Sequence, residues 1–207
     1  MQETSKDSWV IFGCSPFINE IKDKIPAICE KYTTIGLNAF IGVCPTDYWL
    51  FVDCGIFTNL HKRITKEKII IHNHCKTELK THYAGKQPFI LEKWVIKPHY
   101  IFEESQKPEY TERKRLILKY SCVTSAINYA YLQGAKEIIL IGVDLTTDWQ
   151  HFWSDFKHYK PVKEIEEVKN IIYEFAKRVD IYNANHKANM ELPLWIERDL
   201  NINCVKQ

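Results

Sequence analysis

Residues 121–144 read SCVTSAINYAYLQGAKEIILIGVD, and this stretch decides the fold class. Its first half predicts a helix over 124–133, because apolar residues recur at helical spacing: Ala126, Ile127, Ala130 and Tyr131. Gly134 follows, at a position where helices commonly end. The apolar run that begins at 137 is typical of a strand buried on both faces of a parallel sheet. A helix and a buried strand therefore follow each other with hardly a loop between them.

The same kinds of element recur on both sides of this stretch. Short apolar runs predict four further buried strands, at 8–13, 32–38, 48–53 and 68–73. Apolar residues at three- and four-residue spacing predict an amphipathic helix over 161–180. Between 76 and 119 the pattern weakens, and there we expect loops and an edge strand around 88–96. The fold class predicted is α/β, a Rossmann-like and mostly parallel sheet with helices on both faces.

Composition sets broad limits on the class of protein. The 207 residues are 45% hydrophobic and 26% charged, which favours one globular domain spanning 1–207. A net charge of +2 neither demands nucleic acid as a partner nor excludes it. Neither a signal-peptide pattern nor an apolar run of roughly 20 residues is present, so we expect a cytoplasmic protein without a membrane span. Seven scattered cysteines without a CxxC pair fit a reducing compartment.

Polar residues follow the predicted strands where an open α/β sheet binds its ligands, at the carboxyl ends. Gly13 permits a tight turn after the first strand, and Ser15 is predicted to cap a helix whose free amides would face a phosphate. A plain strand-to-helix turn would have the same sequence. Asn38 and Asp53 follow the next two strands, and each is also a common turn former. Together they predict a nucleotide-type site, although the GxGxxG fingerprint of NAD and FAD enzymes is absent.

A segment rich in histidine and aromatic residues comes after Asp144, which ends the strand of the opening stretch. We predict a lid-like loop at about 145–161 that excludes water from the site. His151 or His158 would supply a general base, with Tyr159 beside them. Alternatively, the aromatic residues form a patch that packs on the body or on a second copy of the chain, giving a homo-oligomer.

Two further clusters favour structural or surface roles. His72 and His74 stand beside Cys75, but no second ligand group with diagnostic spacing exists, so no metal site is predicted. The sequence also lacks an Asp-x-Asp pair, and we expect metal-independent chemistry with no cofactor. The charge cluster at 112–115 is predicted to be a solvated face, relevant only if the partner is nucleic acid.

The order of these motifs resembles that of the bacterial lipooligosaccharide sialyltransferases. It combines a Gly-x-x-Pro turn after the first strand, Asn after the second, a Thr-Ser helix, a Gly-x-Asp strand end and a His/Tyr loop. Related Rossmann-like proteins share this order, including archaeal 6-hydroxymethylpterin diphosphokinases and many uncharacterised phage and bacterial proteins. The resemblance covers most of the chain loosely and is closest over 121–144.

This resemblance implies an inverting glycosyltransferase that uses a nucleotide-sugar donor and a hydroxyl acceptor. The acceptor would be a glycan, a small molecule or a modified nucleobase. His158, in preference to His151, would be the base, and Tyr159 would contact the phosphate. The family's Gly-Asn-Gly-Pro-Ser turn is here Gly-Cys-Ser-Pro-Phe, which lacks the Asn that meets the donor phosphate. The donor would be held, together with Asp144, by residues that match the family by position: Gly13, Cys14, Ser15, Asn38, Asp53, Thr124 and Ser125.

Two other functions remain open. One is a magnesium-dependent diphosphokinase of the pterin type, for which Asp53, Asp144 and Asp148 are the obvious carboxylates. The other is a non-catalytic nucleotide-binding or assembly protein, in which the aromatic loop is an interface. Magnesium enters only in the diphosphokinase alternative.

Overall fold

A six-stranded sheet forms the centre of the molecule in a computed structural model, which describes residues 7–52, 54–65, 68–71, 101–103, 115–117 and 120–195. Its strands are Ser8–Phe12 (β1), Thr33–Leu37 (β2), Tyr48–Phe51 (β3), Lys68–Ile71 (β4), Glu137–Ile141 (β7) and Asp180–Asn183 (β10). Two small sheets accompany it. One pairs Ile101–Glu103 (β5) with Arg115–Ile117 (β6), and the other pairs Asp148–Gln150 (β8) with Lys157–Tyr159 (β9).

The sheet has the strand order β10-β7-β1-β2-β3-β4, and every neighbouring pair in it is parallel. From β1 the chain builds outward to β4, then returns to place β7 on the opposite side of β1. The strand order therefore reverses between β1 and β7, and the crevice above their carboxyl ends is where such sheets bind ligands. The predicted strands and the parallel α/β class are confirmed.

Helices cover both faces of the sheet, as predicted. They are Phe17–Glu20 (α1), Ile25–Lys31 (α2), Cys54–Leu60 (α3), Cys122–Leu132 (α4) and Val162–Ala176 (α5). Alternate side chains of each strand point to opposite faces. Trp9 and Ile11 of β1 pack into one apolar cluster with α4 and α5, whereas Val10 and Phe12 pack into the other with α1 and α2. Within the described ranges, no helix is long and apolar enough to cross a membrane.

Gly13 and Gly142 let the ends of β1 and β7 touch. The amide of Gly13 donates to the Ile141 carbonyl at 2.7 Å, and the amide of Ser15 donates to the Gly142 carbonyl at 3.0 Å. A Cβ on Gly13 would lie 2.1 Å from the Gly142 carbonyl oxygen, so no larger residue fits. Gly142 itself has φ +70°, a conformation that glycine adopts without strain. The two glycines thus fix the geometry of the crevice.

The first helix differs from the sequence prediction. We expected Ser15 to cap a helix, but Pro16 occupies the N-cap position without a side-chain hydrogen bond, and α1 is a single turn of four residues. The predicted cap is wrong because Ser15 belongs to the turn after β1, where its amide donates to the Gly142 carbonyl. The predicted edge strand at 88–96 and the cluster at 72–75 lie outside the described residues.

Gly13→Ala is expected to destabilise the protein by about 2–3 kcal/mol, because backbone must move to relieve the contact with Gly142. Gly42→Ala is the matched control, since its Cβ would meet nothing closer than Arg63 at 3.7 Å. Urea unfolding measures both free energies. Equal effects of the two substitutions would contradict the proposed close approach of β1 and β7.

Candidate functional site

A cavity of about 270 Å³ opens at the switch point between β1 and β7. This volume is close to the lower end of the range for small-molecule sites, roughly 300–1,000 Å³. Its walls come from the carboxyl ends of β1, β2 and β7, the start of α4, and the segment that follows Asp144. Six of the predicted site residues line it: Gly13, Cys14, Ser15, Asn38, Asp144 and His151.

Backbone strain concentrates around this cavity. Within the described part of the chain, three non-glycine residues adopt left-handed φ values: Asn38 (48°), Tyr120 (53°) and Leu145 (50°). All three line the cavity. Each such conformation costs free energy and persists only where surrounding contacts impose it, and such residues cluster at functional sites. The cavity is therefore a built feature of the fold.

Asp144 contributes a carboxylate whose position is fixed by a hydrogen bond from Asn185. Asn185 donates its Nδ2 hydrogen to Asp144 Oδ1 at 2.6 Å, and the Asp144 carbonyl accepts from the Asn189 amide at 2.8 Å. Burial raises the pKa of Asp144, and the hydrogen bond from Asn185 opposes that shift. The hydrogen bonds to Asp144 offset only part of the cost of burying its ionised carboxylate. A ligand that donates further hydrogen bonds to Asp144 would therefore stabilise the ionised form.

Ser15 offers a buried polar atom in the same cavity. The residue is 8% exposed, and among the described residues its hydroxyl has no partner with hydrogen-bond geometry, although it lies near enough to Asp144 to lower that carboxyl's pKa. A polar group of a ligand would give this hydroxyl a well-aligned hydrogen bond, which a buried polar group otherwise lacks at a cost in stability. Ser15 and Asp144 together form a hydrogen-bonding end of the cavity.

Cys14 lies where the resembled family has an asparagine. Its thiol donates to the Leu37 carbonyl at 3.3 Å, and burial raises its pKa to about 12. The thiol therefore stays protonated near neutral pH and is not a nucleophile. Nearby, the Cys122 thiol donates a hydrogen bond to Asn38 Oδ1 at 3.4 Å, which fixes the orientation of the Asn38 side-chain amide at the cavity wall.

The predicted lid at 145–161 is an antiparallel hairpin of β8 and β9, with Trp149 opposite His158. It is docked on the turn after β1, since the Phe152 amide donates to the Cys14 carbonyl at 2.9 Å. Asn19 Nδ2 donates to the Phe152 carbonyl at 2.8 Å. These contacts close the hairpin over the cavity.

The two lid histidines differ in position. His151 lines the cavity, whereas His158, the first choice from the sequence, stacks on Trp149 with ring centroids 4.3 Å apart and lies outside it. His151 stacks on Trp153 at 3.9 Å, and its Nδ1 is buried without a partner among the described residues. Burial lowers the pKa of His151, and the nearby His158 lowers it further. A neutral imidazole, ready to accept a proton, is thus favoured at the cavity.

Three other predicted site residues are not brought to the cavity. Tyr159 is 71% exposed on the outer side of the lid. Thr124 and Ser125 are fully buried. The Ser125 hydroxyl donates to the Ile117 carbonyl at 2.7 Å, and the Thr124 hydroxyl lies 2.9 Å from the Ser121 carbonyl and 3.1 Å from the Ile117 carbonyl. They join α4 to β6 in place of the expected contact with a donor. Asp53 lies outside the described residues.

Sequence reasoning missed two residues of the site. Lys160 lines the cavity and donates from Nζ to the Tyr120 carbonyl. Asn185 holds Asp144 and closes an Asx turn with Asn183. The alternation of side chains along β9 was an available signal for Lys160, because it places residues 158 and 160 on the opposite side from 157 and 159. No local pattern pointed to Asn185, which lies 41 residues from its partner.

The fold and the cavity define a Rossmann-like α/β protein with a pocket at its switch point. Its fold is similar to that of a solved structure, the MAf glycosyltransferase from Magnetospirillum magneticum AMB-1, with a TM-score of 0.62 and 14% sequence identity. The match covers 91% of this chain and 33% of that one, so the chain spans about a third of that protein's length. No protein-family model and no curated protein matches the chain.

Asp144→Asn is expected to raise the free energy of unfolding at pH 7. The folded-state pKa of Asp144 lies above the usual value of about 3.9, so ionisation of this carboxyl opposes folding once the pH exceeds that value. Asparagine removes the charge and keeps an oxygen for Asn185.

Urea unfolding at pH 7 and pH 4 checks this expectation, with the exposed Asp180→Asn as control. The gain should be smaller at pH 4, because less of the folded-state Asp144 is ionised there than at pH 7. A loss of stability at pH 7 would mean that the carboxylate is structurally required.

Proposed function

We propose that this protein is a glycosyltransferase that moves a sugar from a nucleotide-sugar donor to a hydroxyl acceptor. The observation that carries the proposal is the cavity at the switch point, where six predicted site residues meet beneath a docked lid. The similarity to a solved glycosyltransferase supports the same fold-level expectation. The donor, the acceptor and the stereochemistry belong to the proposal.

The donor would lie along the carboxyl ends of β1, β2 and β7. Asp144 and Ser15 offer an acceptor and a donor for hydroxyl or amine groups of a ribose or base. Asn38 presents a side-chain amide whose Oδ1 accepts a hydrogen bond from the Cys122 thiol. Gly13 lets the ligand approach the backbone closely. These groups would hold the nucleotide while its sugar faces the lid.

His151 is the base that the geometry favours. In the proposed step, the acceptor oxygen attacks the anomeric carbon of the sugar while its proton passes to the His151 imidazole. The new C–O bond forms as the bond between the anomeric carbon and the phosphate oxygen breaks, and the bonding electron pair leaves on that oxygen. One direct displacement of this kind inverts the configuration. The lowered pKa of His151 keeps its lone pair available near neutral pH.

The diphosphokinase alternative receives less support from the site. Of its three candidate carboxylates, Asp144 lines the cavity, Asp148 is exposed on β8, and Asp53 is not among the described residues. In the described ranges, no group of three His, Cys, Asp or Glu side chains is placed to hold a metal ion.

The proposal is tested by a thermal-shift screen over nucleotides and nucleotide sugars, followed by an assay for release of the free nucleotide. Binding to the native state must raise its melting temperature, so one nucleotide class is expected to stand out. His151→Gln should keep that shift and lower turnover by about 10²–10⁴-fold.

Absence of any shift from all four nucleotide classes would reject the proposal. Magnesium-dependent release of AMP from ATP would favour the diphosphokinase. A change in oligomeric state alone, on replacement of His151, would favour the assembly protein.

His158→Gln tests how the two histidines interact. A protonated His158 opposes protonation of His151, whose ring centroid lies 5.4 Å away, so removing that charge raises the pKa of His151. The acidic limb of the rate profile should then move to higher pH, measured as turnover between pH 4.5 and 8. An unmoved limb would show that a group other than His151 controls it.

A further inference from the structure

We propose that Lys160 receives the phosphate of the bound nucleotide and thereby fixes the ligand's direction in the cavity. The phosphate would lie at the Lys160 end, and the groups that donate hydrogen bonds would lie at the Asp144 end. The inference rests on the proposed function for the class of ligand, but it assigns a residue and an orientation that the resemblance does not supply.

Lys160 is the one lysine or arginine among the cavity-lining residues that the structure describes. It follows β9, and its amide donates to the Thr147 carbonyl at 2.9 Å, which closes the base of the lid hairpin. Its Nζ donates to the Tyr120 carbonyl, and no described carboxylate forms an ion pair with it. An ammonium group has three donors. Two of them are therefore available to an anion in the cavity.

The beginning of α4 adds positive potential at the same end. Tyr120, whose carbonyl holds Lys160, precedes the N-cap residue Ser121 of this 11-residue helix. Ser121, Cys122 and Val123 all line the cavity. The N-terminus of a helix favours negative charge through its dipole and its free amides. The lysine and the helix therefore act on the same ligand group.

Two observations point to a ligand independently of the helix. The Ser15 hydroxyl, in a residue only 8% exposed, is unpartnered among the described residues and lines the cavity. The two charged groups of the cavity are also held by different parts of the chain. Asn185 holds the Asp144 carboxylate, whereas the Tyr120 carbonyl, just before α4, holds the Lys160 ammonium. An anion in the cavity is repelled by the carboxylate and attracted to the ammonium, so it would bind on the Lys160 side.

Strand geometry explains why the lysine takes this place. Successive side chains of a strand point to opposite sides. Tyr159, which the family resemblance assigns to the phosphate, is 71% exposed on the outer side, and Lys157 is also exposed there. Lys160 points inward. A cation in the lid would thus replace the hydroxyl that the resembled family supplies.

The test compares Lys160→Met, Lys160→Arg and the control Lys157→Met, which changes an exposed lysine of β9. Calorimetry measures the affinity of each protein for inorganic phosphate, four nucleoside 5′-monophosphates and the matching nucleosides. The wild type should bind the best monophosphate at least about tenfold more tightly than its nucleoside, because one hydrogen bond between charged groups contributes an affinity difference of about that size. Lys160→Met should remove most of that ratio without changing nucleoside affinity. Lys160→Arg should retain most of it, and Lys157→Met all of it.

The inference is overturned if the ratio survives in Lys160→Met, if nucleoside and monophosphate weaken equally, or if the wild type gains nothing from phosphate. Its failure is distinguishable from failure of the proposed function. Phosphate binding that depends on Lys160 without sugar transfer supports the inference and rejects the transferase. Sugar transfer that Lys160→Met leaves unchanged supports the transferase and rejects the inference.

Discussion

The contact between Gly13 and Gly142 is the constraint on which the rest of the site depends. It brings the carboxyl ends of β1 and β7 together with 2.7 Å and 3.0 Å hydrogen bonds across a gap that admits no Cβ. Because the strand order reverses between these two strands, the chains leaving them diverge to opposite faces of the sheet and leave a crevice. Ser15 and Asp144 each stand two residues beyond one of the two glycines.

The site is made of groups that the fold alone leaves poorly satisfied. Three left-handed residues, a buried serine hydroxyl and a buried carboxylate all face one cavity. Each opposes folding to some degree, and the two apolar clusters on either face of the sheet offset that cost. A ligand with complementary polar groups would form hydrogen bonds with the hydroxyl and the carboxylate.

The lid hairpin is attached to the turn that follows Gly13. Its Phe152 backbone is held by the turn after β1 and by Asn19, so the residues on its inner side face the cavity that Gly13 shapes. The tip and outer side carry the exposed aromatic side chains Trp153, Phe156 and Tyr159. One hairpin therefore separates an inner side with His151 and Lys160 from an exposed outer side. The inner residues bear the proposed chemistry.

The sequence by itself determined the fold class, and it predicted a site at the carboxyl ends of the strands. Continuous apolar runs and helical spacing are local properties, so β1–β4, β7, α4 and α5 were predictable, and strand-end polar residues such as Asn38 and Asp144 followed from them. Only the tertiary structure decided which side chains meet. Thr124 and Ser125 turn to the Ile117 carbonyl because α4 must hold β6, and Tyr159 points outward because the pleat of β9 gives the inner position to Lys160. The Asn185–Asp144 pair joins residues 41 apart, a distance that no local pattern spans.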